Sequence, residues 1–351
     1  MRPAGMHAQV PRIRLVGPFR YRMRAARLLW QAIVRVTLRR AVKGPRLPGW
    51  NWFVEVVTCF LKRELSAAFD MHNSAEARRF LDTVQIASPA TAKVAITLVH
   101  EGAVRGAWYT PTSADPPVTL LYLHGGGYSF NPTAYAGFIS EITLAANART
   151  FAVDYRLAPE HHFPAQREDA LAAYQWLLAQ GVAPEQLVLA GDSAGGNLTL
   201  SLLLMLRELN LAMPALAVCL SPATEFVDVG RPSIWKNAKY DWIDPRMLLD
   251  WAGWFCDAEQ RTCAEVSPVN ADLRGLPPIY VQAGSAEILY DSIVAFVAEA
   301  QRQGADITFE PFENMTHVFQ MFGYEAPQSV AALKRIGEVI EARVGGRVRA
   351  Q

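Results

Sequence analysis

The segment Leu187-Val188-Leu189-Ala190-Gly191-Asp192-Ser193-Ala194-Gly195-Gly196 constrains this chain most, because an apolar run of strand character passes without a spacer into the apolar pattern of a helix over Ala194–Glu208. A strand that turns directly into a helix strains the backbone at the corner, and small residues on either side let neighbouring chain pass close by. The corner residue is Ser193, flanked by Gly191 and Gly195. Its hydroxyl stands at a helix N-terminus, where free N–H groups and a partial positive charge point at it. Alone, a G-x-S-x-G reads equally as an ordinary tight turn; between a strand and a helix it reads as a nucleophile elbow.

The rest of the chain supports that context. From about residue 93, short β-branched runs alternate with longer helical patterns, as expected of a parallel sheet covered by helices. Candidate strands are Lys93–His100, Ala107–Thr110, Thr119–His124, Thr150–Asp154, Gln186–Ala190, Ala215–Leu220, Pro278–Ala283 and Asp306–Phe312. Candidate helices are Thr133–Asn147, Pro164–Gln180, Ala194–Glu208, Leu289–Gln303 and Pro327–Arg343. Two stretches break the alternation: residues 20–85 read as amphipathic helices interrupted at Gly44-Pro45 and Pro48-Gly49, and Glu225–Ser267 is rich in Trp235, Tyr240, Trp242, Trp251, Trp254 and Phe255. Such pieces either cap an apolar pocket or are plain helix packing. The expected division is a basic arm with cap helices over 1–85, then a catalytic domain over 86–351 carrying the insertion at 225–267.

A second glycine cluster follows another strand: Leu120-Leu121-Tyr122-Leu123-His124-Gly125-Gly126-Gly127-Tyr128. Three glycines exclude side chains but present backbone N–H groups, the donors that acyl transfer needs where a carbonyl becomes an oxyanion. The G-x-G-x-x-G and G-x-x-x-x-G-K-[ST] spacings of phosphate loops are absent.

A serine nucleophile needs a base. Where an elbow of this kind carries one, the partners follow in the order Ser, acid, His. Of seven histidines only His317 lies after Ser193, just beyond the last candidate strand. The acid is expected after Pro278–Ala283, where Glu287 lies three residues past Gly284 and Asp291 one helical turn further on. Glu287 is the favoured partner and Asp291 the second choice; the acid would hold the imidazole tautomer and stabilise its cation.

These motifs, HGGGY at His124–Tyr128, DYRLAPEHHFPA at Asp154–Ala165, GDSAGGN at Gly191–Asn197 and THVF at Thr316–Phe319, resemble those of the hormone-sensitive-lipase-like family of α/β-hydrolases over roughly residues 95–345. The resemblance implies an α/β-hydrolase fold: a mostly parallel eight-stranded sheet, helices on both faces and a helical cap. It also implies no cofactor, and a serine carboxylesterase acting on short- to medium-chain esters through an acyl-enzyme on Ser193. By motif position the oxyanion donors are the N–H groups of Gly126, Gly127 and Ala194. One departure stands out: Glu287 occupies the place where the family commonly has Asp. Amide or lactone hydrolysis uses the same constellation, and receptor-like relatives keep the fold without the catalytic histidine; His317 is present here.

Asp154, Arg156, Glu160, His161 and His162 lack a ligand spacing, so no metal is expected; a buried Arg156 paired with a carboxylate is. His124 reads as a loop-ordering hydrogen-bonder. The insertion aromatics, with Tyr128, Phe130, Trp50, Trp52 and Phe53, predict an apolar acyl or alcohol pocket.

The chain of 351 residues is 51% apolar and 19% charged, which excludes a wholly disordered protein. Residues 1–54 hold twelve Lys/Arg and no acid, so the remainder sums to 22 − 33 = −11. The arm either packs on the cap or acidic body or lies on an anionic membrane surface; without a recognised motif, nucleic acid is not expected as a partner. Four cysteines without a ligand or framework spacing, and no secretory signal or spanning segment, point to the cytoplasm. The expected partner is a small ester, and the family resemblance makes a homodimer the assembly to look for.

Overall fold

Short apolar runs that stay apolar at every position are strands buried on both faces, and β5 and β7 below are buried along their whole length. The computed structural model describes residues 12–71, 73–113, 116–226 and 230–345; the first eleven residues of the basic arm lie outside that range. The strands are β1 (Arg12–Leu15), β2 (Val84–Ala87), β3 (Val94–Glu101), β4 (Val104–Pro111), β5 (Val118–Leu123), β6 (Ala148–Val153), β7 (Leu187–Asp192), β8 (Leu216–Leu220), β9 (Ile279–Gly284) and β10 (Ile307–Phe312). The helices are α1 (Phe19–Lys43), α2 (Trp52–Phe69), α3 (Ser74–Leu81), α4 (Tyr135–Ala145), α5 (Ala165–Ala179), α6 (Ala194–Glu208), α7 (Pro232–Lys236), α8 (Pro245–Phe255), α9 (Tyr290–Arg302) and α10 (Pro327–Ile340).

Eight strands form one sheet in the order β10-β9-β8-β7-β5-β6-β4-β3. Only β4 runs against the others, pairing antiparallel with both β3 and β6. Side chains alternate between the two faces. Leu121, Leu123, Leu187 and Leu189 join Tyr174 of α5, Leu198 of α6 and Phe296 of α9 on one side. Leu120, Tyr122, Val188 and Ala190 meet Phe138 and Ile142 of α4 and Leu333 and Ile336 of α10 on the other. The expected mostly parallel sheet with helices on both faces is what the chain forms. The pairing of β1 with β2 was not expected; it joins Arg12 to Ala87 and Leu15 to Val84.

The two stretches outside the alternation meet each other. Helix α2 is capped by the Asn51 side chain, which accepts from Val54 N–H at 2.8 Å. Its buried Glu55 takes the guanidinium groups of both Arg39 and Arg40 and the N–H of Arg46 at 2.9 Å. Part of the basic N-terminal stretch is therefore bound to α2. Ala25, Leu28 and Ala32 of α1 share a core with Phe60, Leu65 and Ala68 of α2. Phe69 at the end of α2 then stacks on Trp254 and meets Trp251 edge-on, each at 5.1 Å.

Candidate active site

Ser193 sits between β7 and α6 with φ 53° and ψ −119°, a conformation that L-residues rarely adopt. The turn closes because its neighbours have no side chains. A Cβ on Gly195 would lie 1.9 Å from Leu123 O, and one on Gly191 would lie 2.3 Å from Gly195 O. Two hydrogen bonds hold the corner to the next strand and loop, Ser193 N–H to Leu220 O at 2.8 Å and Ala223 N–H to Ser193 O at 3.0 Å.

The glycine loop after β5 is folded by the same rule. Gly126 and Gly127 have φ of 97° and 60°. A Cβ on Gly126 would strike Phe130 O at 2.1 Å, and one on Gly127 the Trp251 indole at 2.4 Å. Among the described residues neither of their N–H groups reaches a protein acceptor. Asp192, fully buried beside Ser193, fixes the loop: its carboxylate accepts from Gly125 N–H at 3.0 Å, Tyr122 O–H at 2.6 Å and Tyr135 O–H at 2.8 Å. Burial pushes its pKa up and those donors oppose the shift. His124 stacks on Tyr155 at 4.1 Å and donates from Nδ1 to Gly125 O at 2.7 Å. Burial lowers its pKa to about 4, so it is neutral and orders the loop.

His317 and Glu287 are both fully buried, with Nδ1 and Oε2 3.8 Å apart. Glu287 Oε2 also accepts from Ser221 O–H at 2.6 Å and Gly284 N–H at 3.2 Å. Asp291 instead accepts from Ser233 N–H at 2.8 Å, at the start of α7. A further carboxylate, Asp241, bridges the two turns: it accepts from His317 N–H at 3.2 Å and Ile288 N–H at 2.7 Å. Its pKa is pushed up to about 6, by burial first and by Glu287 as well, against the pull of His317. Trp242 donates its indole N–H to His317 O at 2.7 Å. Burial alone would lower the His317 pKa, but Glu287, Asp241 and Asp192 outweigh it and raise it.

Residues 120–321, more than half of the chain, match the α/β hydrolase fold family. The chain belongs to that family. It is similar to an acetyl-hydrolase of Streptomyces hygroscopicus, 35% identical over 71% of this chain and 83% of the relative. It is likewise similar to an esterase of Acinetobacter venetianus, 30% identical over 83% of this chain and 96% of that one. A crystal structure of an esterase from the bacterial hormone-sensitive lipase family superposes with a TM-score of 0.71 at 31% identity, covering 91% of this chain and 98% of that one. Within the α/β hydrolases, the hormone-sensitive-lipase group is the one to which this chain belongs.

In this α/β hydrolase, two pockets open on Ser193. One, of about 690 Å³ and open to solvent, is lined by Ala223, Phe226, Ile234, Leu248 and Leu289. The other, of about 860 Å³, is lined by Phe60, Leu65, Val84, Phe130 and Met321. Gly127, Ser193, Ile243 and Trp251 line both. Not every expected aromatic takes part: Trp235 and Trp52 are exposed, Tyr128 is buried in a stack on Phe255 at 3.8 Å, and Trp50 donates to Asn314 O at 2.6 Å. The expected buried Arg156 is also corrected. It pairs with Glu168 and Asp169 at 2.9 and 2.8 Å, but on the surface, with its side chain 40% exposed.

Sequence reasoning missed four residues that shape the site. Asp192 stood inside the recognised motif, and a carboxylate ahead of a buried corner was a usable signal. Arg78 of α3 clamps the glycine loop and the stretch after β6, donating to Ser129 O at 2.8 Å, Ala158 O at 2.7 Å and the Glu160 carboxylate at 2.7 Å. Asp241 and Ser221 carried no local signal. For Asp192, replacement by Ala leaves two buried tyrosine hydroxyls and Gly125 N–H without an acceptor, which should lower unfolding stability by about 3 kcal/mol in denaturant titration.

Proposed function

We propose that the protein is a serine carboxylesterase in which Ser193 is acylated by short- to medium-chain esters. The observation that carries this reading is the strained Ser193 lying in the same pocket wall as the unpartnered glycine-loop amides. Ser193 Oγ attacks the ester carbonyl while His317 Nε2 takes its proton, and Glu287 stabilises the resulting imidazolium through Nδ1–H. The N–H groups of Gly126, Gly127 and Ala194 receive the oxyanion. His317 then protonates the departing alcohol, and a water activated by His317 releases the carboxylic acid. Glutamate in place of the usual aspartate is one methylene longer, and its turn is braced by Ser221 and Asp241. The retained histidine favours an enzyme over a ligand receptor, and the relatives named as esterases favour esters over amides or lactones.

The cap then consists of the N-terminal helices together with the insertion, whose side chains line both pockets. Cys59, Cys219, Cys256 and Cys263 stand as free thiols, which supports a reducing compartment such as the cytoplasm. No helix among the described residues is long and apolar enough to cross a membrane. Helix α1 nonetheless turns Phe19, Met23, Trp30, Leu38 and Val42 to solvent beside Arg22, Arg27 and Arg35. That pattern supports peripheral contact with an anionic lipid surface.

A p-nitrophenyl ester series should be hydrolysed fastest at short to medium chain lengths. Ser193→Ala should lower kcat at least about a thousandfold and Glu287→Ala roughly 10⁴-fold, with Asp291→Ala near wild type; crippling by Asp291→Ala instead would transfer the acid role to it. Because the base must be neutral and the surrounding carboxylates raise its pKa, kcat/KM should fall with acidification through a value above the ordinary histidine figure of about 6.5. Glu287→Gln should move that limb to lower pH in a pH–rate profile. Co-sedimentation with anionic vesicles should weaken in a Trp30→Ser, Val42→Ser double variant, and equal sedimentation of both proteins would remove the lipid contact.

A further inference from the structure

Helix α2 carries an ionisable side chain that the reaction above does not use. Glu64 is 5% exposed, and its Oε1 has no hydrogen-bond partner among the described residues. It lines the larger pocket that opens on Ser193, beside Phe60, Leu65 and Phe130. The other polar groups of that wall are mostly committed: Tyr135 donates to Asp192 and Trp242 to His317 O. The indole Nε1 of Trp251, which also faces this pocket, lacks a partner as Glu64 does.

A buried carboxyl with no partner is destabilising relative to an apolar side chain of similar volume. A group that fills the pocket and supplies the missing hydrogen bond removes that penalty. No charged neighbour acts on Glu64; burial alone lifts its pKa to about 8. At neutral pH it is therefore chiefly the neutral acid, with one O–H donor and a carbonyl acceptor, and it does not present an anion to a substrate cation.

Resting on the esterase reading above, we propose that Glu64 is a specificity-determining residue that hydrogen-bonds an uncharged polar group, a hydroxyl or a carbonyl, on the arm of the ester that enters the pocket beneath α2. The substrate class is thus hydroxy- or oxo-substituted esters rather than plain alkyl ones. A pocket that hydrogen-bonds a substrate hydroxyl discriminates against the analogue that lacks it, because its own polar group is then left unpaired.

The test compares kcat/KM, followed by pH-stat, for matched pairs over a range of chain lengths. Ethyl ω-hydroxyalkanoates are set against ethyl alkanoates to probe the acyl arm, and diol monobutyrates against n-alkyl butyrates to probe the alcohol arm. In one of the two series the hydroxy-to-plain ratio should peak at a particular length. Glu64→Leu should lower that peak ratio about tenfold, the loss of one hydrogen bond, and Glu64→Gln, which still hydrogen-bonds, should retain most of it. A ratio of two substrates on the same sample does not depend on how much of a variant folds. Equal ratios in wild type and Glu64→Leu at every length of both series would overturn the proposal, as would a preference for ω-amino esters that Glu64→Leu abolishes. Hydrolysis of the plain esters by the wild type tests the esterase reading separately.

Discussion

The carbonyl oxygen of Leu123 occupies the space that a side chain at position 195 would need, and this contact between the end of β5 and the start of α6 sets the geometry of the whole site. It brings the glycine loop that follows Leu123 alongside the corner at Ser193. The strain at that corner persists because the surroundings determine it from several directions. Ser193 N–H is held by Leu220 O on one side, and Asp192 ties the loop's Gly125 N–H on the other. Ser193 and the glycine loop are therefore fixed by backbone packing at the wall of the pockets, before any substrate contact contributes.

Electrostatics around the imidazole are arranged with equal economy of movement. Three buried carboxylates influence His317, and each is anchored by donors of its own: Asp192 by two tyrosines and Gly125, Asp241 by the backbone N–H groups of Trp242, Ile288 and His317, Glu287 by Ser221 and Gly284. For Asp192 and Asp241 these hydrogen bonds act against the desolvation that pushes both pKa values up. In the mechanism proposed above, an imidazolium forming on His317 would meet carboxylates already held in place, so little reorganisation would be needed at the moment of reaction.

What the sequence disclosed and what it withheld divide along the range of the interactions. The eight strands of the main sheet and the flanking helices are written as local periodicity, and each candidate strand overlaps its observed counterpart. Ser193, the glycine loop, Glu287 and His317 could be selected because a strand-to-turn junction carries a local composition. The β1–β2 pairing could not, since four-residue strands separated by almost seventy positions leave no periodic trace. Asp241 and Arg78 lie in segments with no motif, and their importance comes only from where tertiary packing brings them. Arg156 illustrates the opposite error: its carboxylate partners were foreseeable, but burial is a property of the neighbouring surface, and there it faces water.

The division between shared and particular parts of the molecule follows the same boundary. The stretch that matches the α/β hydrolase fold family spans 120–321 and holds Ser193, Glu287, His317 and the glycine loop. Phe60, Glu64, Leu65 and Val84, which shape one of the two pockets on Ser193, all lie outside it. Phe60, Glu64 and Leu65 are delivered by α2 and Val84 by β2, and this part of the chain is attached through Phe69 against Trp251 and Trp254 and Trp50 against Asn314. In the proposed reading a change in α2 alters which ester arm fits without disturbing the strained corner, because α2 and α3 meet the sheet domain through their side chains while the corner is held by backbone. In the reading proposed above, reaction chemistry and substrate choice are carried by separately supported parts of the chain, and Trp251, packed against Gly127 and facing both pockets, is where they touch.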